Sequence, residues 1–103
     1  MQLTVLGSGT AIPSLTRGSP GLLVEVAKGA DLLVLECAAP DSLPMEVHLT
    51  PTEAGQIAAL SGCRRLVLTH FYPICEAYDL VTPCKKVFDG EVILAEDLMR
   101  LSV

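Results

Sequence analysis

The fold is decided by the stretch that runs from His48 to Gly62, HLTPTEAGQIAALSG. Thr50 can cap a helix with its hydroxyl, Pro51 suits the first helical position, and Glu53 stands three residues after the cap. Gly62 is typical of the residue that ends a helix. The pattern therefore predicts a helix that begins after Thr50 and ends before Gly62.

Strands are predicted on both sides of this helix. Asp31–Glu36 contains the apolar run Leu-Leu-Val-Leu, which is typical of a strand covered on both faces. Arg65–Thr69 is a second apolar strand and is followed by His70, and Glu91–Leu94 is predicted as the last strand.

A second helix is predicted between the last two strands. Apolar residues recur at helical spacing from Ala77 to Phe88, and Pro83 inside this run predicts a kink or a restart near Thr82. Strands thus alternate with helices from Asp31 onward, which indicates an α/β fold.

The first 27 residues have a different pattern. Leu3–Leu6 and Leu22–Ala27 are predicted strands, and the long connection between them is rich in glycine and proline. We expect a single domain in which residues 1–27 form an amino-terminal β-hairpin segment and residues 28–103 form an αβ segment.

The composition favours self-association. Half of the 103 residues are apolar and the mean hydropathy is +0.51. A small domain has little interior, so apolar surface should remain exposed and support a dimer; a monomer with scattered exposed side chains is the alternative. The net charge of −5 makes nucleic acid an unexpected partner. Apolar runs stay shorter than the ~20 residues of a membrane span, so no membrane contact is expected.

Four cysteines are present, and none forms a C-x-x-C pair: Cys37, Cys63, Cys75 and Cys84. The absence of a secretory signal predicts free thiols in a cytoplasmic protein. A zinc site could be assembled from Cys63, His70, Cys75 and Cys84, but the spacings match no common zinc motif, and small core residues are the alternative.

Two histidines occupy positions that are common for functional side chains. His48 precedes the capped helix, whose free N–H groups favour an anion. His70 follows a strand, where α/β proteins commonly bind ligands. A surface or capping histidine is the alternative for each.

Five stretches resemble the metallo-β-lactamase superfamily, in the branch that includes the tRNA-processing ribonuclease Z. They are LTVLGSGTAIPS (3–14), GADLLVLEC (29–37), HLTPTEAG (48–55), LVLTHFYP (66–73) and EVILAEDL (91–98). The resemblance implies an αββα-type fold, a metal ligand at His70 and a catalytic role for His48 on the phosphate or the leaving group. It also implies zinc, manganese or iron in full-length relatives.

The chain departs from that family in its metal-binding motifs. The His-x-His-x-Asp-His motif is absent, as is the Gly-Asp-Thr that contains the bridging aspartate, and the chain has two histidines in all. A catalytic zinc needs about three protein ligands, and a two-metal site needs more. We therefore expect no cofactor in this chain. The comparison predicts an internal truncation, with its junction at Ala27–Lys28, and a partial fold of about one sheet with two helices.

Three functions follow from these observations. In the first, the truncated chain is not catalytic alone and self-associates through a sheet face, because the full fold packs two similar αβ halves face to face and one half is missing. In the second, it is a metal-dependent hydrolase, a phosphodiesterase similar to ribonuclease Z, completed by another chain or by a missing segment. The third is an unrelated small binding domain.

Overall fold

The computed structural model describes residues 28–103, so the hairpin predicted for residues 1–27 lies outside the described residues. The elements are, in chain order, β1 (Leu32–Glu36), α1 (Pro51–Ser61), β2 (Arg65–Thr69), a 3₁₀ helix (Pro73–Ala77), α2 (Val81–Lys85) and β3 (Glu91–Leu94). These strands and helices confirm the predicted α/β fold, with one sheet and two α-helices in this region.

The three strands form a parallel sheet in the order β1-β2-β3. Because side chains alternate along a strand, the register divides them into two faces. The inner face packs against both helices and consists of Leu33, Leu35, Leu66, Leu68, Val92 and Leu94. The outer face consists of Leu32, Val34, Glu36, Arg65, Val67, Thr69, Glu91 and Ile93.

Helix α1 begins and ends as its sequence predicts. The Thr50 side chain accepts a hydrogen bond from the Glu53 backbone N–H at 3.4 Å, and Pro51 occupies the first turn. Gly62 ends the helix with φ of 68°, a left-handed conformation that glycine adopts without steric cost. Ile57 on the buried side of α1 packs against the inner face.

The second helix is shorter than predicted. The run from Ala77 does not continue as one helix, because α2 starts anew at Val81. The Asp79 carboxylate accepts hydrogen bonds from the backbone N–H groups of Val81 and Thr82, both at 3.0 Å, and so caps this new start. Pro83 then lies in the first turn, where its missing donor costs nothing. The predicted restart near Thr82 is confirmed, whereas the helical assignment of Ala77 to α2 is wrong.

The outer face is less covered than the β1 sequence suggests. Val34, in the middle of β1, exposes 50% of its surface, although the apolar run predicted a strand covered on both faces. Its neighbour Val67 on β2 is buried, and Ile93 on β3 is half-buried. Within residues 28–103 both helices pack on the inner face and neither covers Val34, so the prediction is wrong at this position. Across residues 28–103, no helix has the length and apolar character needed to cross a bilayer.

Candidate functional site

The parallel register brings several polar side chains to the carboxyl edge of the sheet. Glu36 ends β1 directly opposite Thr69, which ends β2, so Glu36 and His70 lie at the same edge. The backbone pairing extends one residue further, since the Cys37 N–H donates to the Thr69 carbonyl at 2.8 Å. This edge is the usual ligand-binding side of an open α/β sheet.

Glu36 connects this edge to the segment that precedes α1. Its Oε1 accepts a hydrogen bond from the Leu49 backbone N–H at 2.6 Å, and its Oε2 lies 3.3 Å from Nδ1 of His48. Oε2 is buried and has no partner with full hydrogen-bond geometry among the described residues. The 3.3 Å separation is within ion-pair distance, so the His48 imidazole faces this buried oxygen.

Three aromatic rings meet at this edge. The ring centroids of His48 and His70 are 5.7 Å apart, so the structure brings the two predicted site residues together. Tyr72 packs edge-on against His48 with a centroid distance of 5.1 Å, and its hydroxyl lies 3.0 Å from Nε2 of His48. The Tyr72 ring is also 5.6 Å from that of His70. The cluster therefore consists of Glu36, His48, His70 and Tyr72.

Two members of this cluster were not predicted as site residues. Glu36 was interpreted as the end of a strand, and Tyr72 as part of a family segment only. Glu36 could have been found from its position, because it is the carboxylate that ends the apolar strand β1. The carboxyl ends of β1 and β2 lie at the same edge of the sheet, where ligands commonly bind. Tyr72 offered no such signal, since its contact with His48 depends on the path of the loop before α1.

His70 is the exposed member of the cluster. It has a left-handed backbone with φ of 60°, a region in which histidine is enriched relative to most residues other than glycine. The conformation lets the chain turn sharply at the end of β2. An imidazole at this turn is accessible to solvent and to a ligand, whereas His48 is half-buried beside Glu36.

A buried thiol lies directly behind the cluster but is not a nucleophile. Burial raises the pKa of Cys37 to about 12, with further contributions from Cys75 and from the charge of Glu36. A nucleophilic cysteine needs a pKa near or below neutrality, because the thiolate is the reactive form. Cys37 therefore acts as a small apolar core residue.

The zinc site considered for Cys63, His70, Cys75 and Cys84 does not form. All four cysteines of the chain lie in the described region as buried free thiols. Cys63 precedes β2 and His70 follows it, so a strand that rises about 3.3 Å per residue separates them. Residues 28–103 contain no group of three His, Cys, Asp or Glu side chains that could hold a metal ion.

The described residues also do not fit the catalytic metal that the resemblance implies. A catalytic zinc takes about three protein ligands, and the resemblance implies a ligand in this chain at His70 alone. His48 is not free to add a second, because Nδ1 faces Glu36 and Nε2 faces Tyr72. Within this segment the cluster can hold hydrogen bonds and contact a ligand through His70, but it does not assemble a metal centre.

Known proteins that are similar in sequence include ribonuclease Z. The chain is 42% identical over 87 residues to ribonuclease Z of Thermobifida fusca, which matches 78% of this chain and 27% of the relative. It is 37% identical over 95 residues to an uncharacterized protein of Mycobacterium leprae, which covers 89% of this chain and 33% of the relative. That match spans about 92 residues of this chain and so crosses Ala27–Lys28 without a long insertion, and the junction predicted there gains no support from it. No protein-family model matches the chain.

Two solved structures resemble the chain in fold. The metallo-β-lactamase fold protein YhfI from Bacillus subtilis superposes with a TM-score of 0.63 and 32% identity, over 71% of this chain and 31% of that protein. Human tRNase Z, short form, superposes with a TM-score of 0.57 and 34% identity, over 77% of this chain and 27% of that protein. The chain thus spans about a third of the length of the proteins that it matches, and it belongs to the metallo-β-lactamase superfamily, with ribonuclease Z among its relatives.

Proposed function

We propose that this chain is a truncated metallo-β-lactamase-fold protein that is not catalytic alone and forms a dimer through its outer sheet face. The observation that carries the proposal is the contrast between the two faces of the sheet. The inner face lies under both helices, whereas Val34 at the centre of β1 exposes half of its surface on the outer face. Apolar surface of this kind gains stability when another surface covers it.

The incomplete ligand set supports the absence of catalysis by a single chain. Two-metal hydrolases hold their ions roughly 3.5–4 Å apart and clamp the attacking and leaving oxygens between them. His70 and the half-buried His48 do not provide the ligands for such a centre, and the sequence contains no further histidine. We therefore expect no metal-dependent hydrolysis by the isolated chain.

A second copy is the occupant that best fits the outer face. The superfamily packs two similar αβ halves sheet to sheet, so a copy of this chain would supply a surface of the same kind. In a twofold dimer both copies use the same surface patch, so a row of β-branched residues in one copy can pack against the same row in the other. This row consists of Val34, Val67 and Ile93 and contains no charged side chain. Val34 and Ile93 would meet the second copy, whereas Val67 is already buried within the chain. The buried free thiols agree with a reducing compartment such as the cytoplasm.

The oligomeric state tests this proposal directly. We expect the purified chain to sediment as a dimer at about 10–50 μM, and Val34→Lys to shift it to a monomer, because a buried lysine charge opposes association. Leu60→Lys is the matched control: Leu60 is 73% exposed on α1, away from the sheet, and its replacement should leave the dimer intact. Circular dichroism would verify that each variant is folded. A compact wild-type monomer at these concentrations would refute the proposal.

The alternative is a metal-dependent phosphodiesterase of the ribonuclease Z type, completed by another chain or by a segment outside these residues. Two observations favour it: His48 and His70 remain side by side at the ligand-binding edge, and the relatives are about three times as long as the matched region. Metal analysis separates the two functions. Two tightly bound zinc, manganese or iron ions per chain, together with hydrolysis of bis(p-nitrophenyl) phosphate that His70→Ala abolishes, would establish the alternative.

A further inference from the structure

Tyr72 occupies the outward nitrogen of His48. Its hydroxyl lies 3.0 Å from Nε2, and its ring meets the imidazole edge-on. The Tyr72 backbone N–H donates to the Ala38 carbonyl at 3.3 Å, which ties this residue to the loop that follows β1. Both the side chain and the backbone of Tyr72 are thus held in place beside His48.

Glu36 determines which nitrogen of a neutral His48 has the proton. Its Oε2 faces Nδ1 at 3.3 Å and is buried, while Oε1 already accepts from the Leu49 N–H. A lone pair on Nδ1 would repel the carboxylate and leave a buried acceptor without a donor, which is strongly disfavoured. The proton therefore belongs on Nδ1. Nε2 is then an acceptor, and the Tyr72 hydroxyl is its donor.

The geometry points to Tyr72 as the positioning residue that occupies Nε2 of His48, while Glu36 sets the Nδ1–H tautomer. Glu36, His48 and Tyr72 then form one line of polar contacts, 3.3 Å from Oε2 to Nδ1 and 3.0 Å from Nε2 to the phenol oxygen. In this arrangement neither imidazole nitrogen is free for a ligand. An incoming oxygen can reach Nε2 only after the Tyr72 hydroxyl has moved away. The inference concerns the folded chain itself and holds whether or not the chain dimerises.

Nuclear magnetic resonance of ¹⁵N-labelled protein tests this arrangement. At about pH 8.5 ordinary imidazoles are neutral. Correlations between the ring nitrogens and the carbon-bound ring protons, through two-bond couplings, then distinguish the two tautomers. The chain has two histidines, so His48→Ala identifies the His48 signals by their loss. We expect the Nδ1–H pattern for His48. An Nε2–H pattern in the wild-type protein would overturn the inference.

Two substitutions examine the two ends of this line of polar contacts. Tyr72→Phe should leave the tautomer unchanged but move the Nε2 resonance towards the value of a free acceptor nitrogen. Glu36→Gln should reverse the tautomer, because its amide can accept from the Leu49 N–H while its N–H group faces Nδ1. Tyr78→Phe is the control, since Tyr78 is 42% exposed and should leave the His48 signals unmoved.

One-dimensional proton spectra of the same samples show whether each variant is folded, because dispersed methyl signals require a packed core. An unchanged Nε2 resonance in folded Tyr72→Phe would refute the role of Tyr72. An unchanged tautomer in folded Glu36→Gln would refute the role of Glu36. Sedimentation of Tyr72→Phe should match the wild-type protein, so failure of this inference is distinguishable from failure of the proposed dimer.

Discussion

Gly55 sets the distance between α1 and α2, and its replacement by alanine gives a prediction with a calculable sign. A β-carbon at this position would lie 2.7 Å from Cγ2 of Val87, 2.8 Å from the backbone oxygen of Cys84 and 3.1 Å from its Sγ. Carbon atoms in contact are normally about 3.5–4.0 Å apart. The Cys84 oxygen cannot easily withdraw, because it accepts from the N–H groups of Val87 and Phe88 at 3.2 and 3.1 Å.

Two opposing effects determine the size of the change. Alanine favours a helix interior over glycine by about 0.5–1 kcal/mol. Overpacking against atoms that cannot move costs about 1–3 kcal/mol. We therefore expect Gly55→Ala to lower the free energy of unfolding by about 1 kcal/mol. For a domain of this size that corresponds to a decrease in Tm of roughly 4–8 °C. Thermal and urea unfolding at one fixed protein concentration measure it, since association makes Tm depend on concentration.

Gln56→Ala provides the matched control on the same helix. Gln56 is exposed, so its replacement should change stability by no more than about 0.5 kcal/mol. If Gly55→Ala were as stable as the wild-type protein or more so, the close approach of α1 and α2 would not exist as described, and the reasoning would be refuted.

Three further outcomes are expected. Thr50→Ala should lower the free energy of unfolding by about 0.5–2 kcal/mol through loss of the helix cap, whereas Thr50→Ser should retain most of it; urea midpoints measure both. The native protein at pH 8 should react slowly with a thiol reagent, and the unfolded protein should expose four reactive thiols, because all four are buried and burial raises their pKa values; four fast thiols in the native state would contradict the burial. Burial raises the pKa of Cys37 to about 12 and that of Cys84 to about 11, from an ordinary 9.0. Folding therefore favours the protonated thiols, so their stabilisation is complete below about pH 9 and is lost as pH rises towards 11–12. Urea titrations across this range measure the loss, and a stability that stays constant would contradict it.

The signals that predict helix α1 are local, which is why the sequence was sufficient for it. Thr50, Pro51 and Gly62 act within one turn of the helix end that each defines. The restart at Val81 was foreseen from Pro83, but the exact start depends on the Asp79 side chain. An apolar periodicity cannot reveal that cap. The periodicity therefore placed the start of α2 at Ala77, a residue that is exposed in the structure.

The candidate site depends on contacts that no local pattern contains. Glu36 meets Thr69 because β1 and β2 pair in parallel, and these residues are far apart in the chain. His48 and His70 were identified from their places before a helix and after a strand, and from the resemblance. Their proximity is a product of the sheet register and of the Glu36 contact with Leu49. The roles of His48 in catalysis and of His70 in metal binding stay predictions.

The order of the strands has a consequence for how the chain folds. Each strand pairs with the next one along the chain, so the sheet can grow by adding one strand and one helix at a time. All of these pairings lie within one chain, although parallel pairing between residues far apart in the chain makes folding slow compared with local contacts. Residues 28–103 can thus reach their packed state before meeting a partner. The refolding rate should accordingly be independent of protein concentration, even if the folded chain later dimerises.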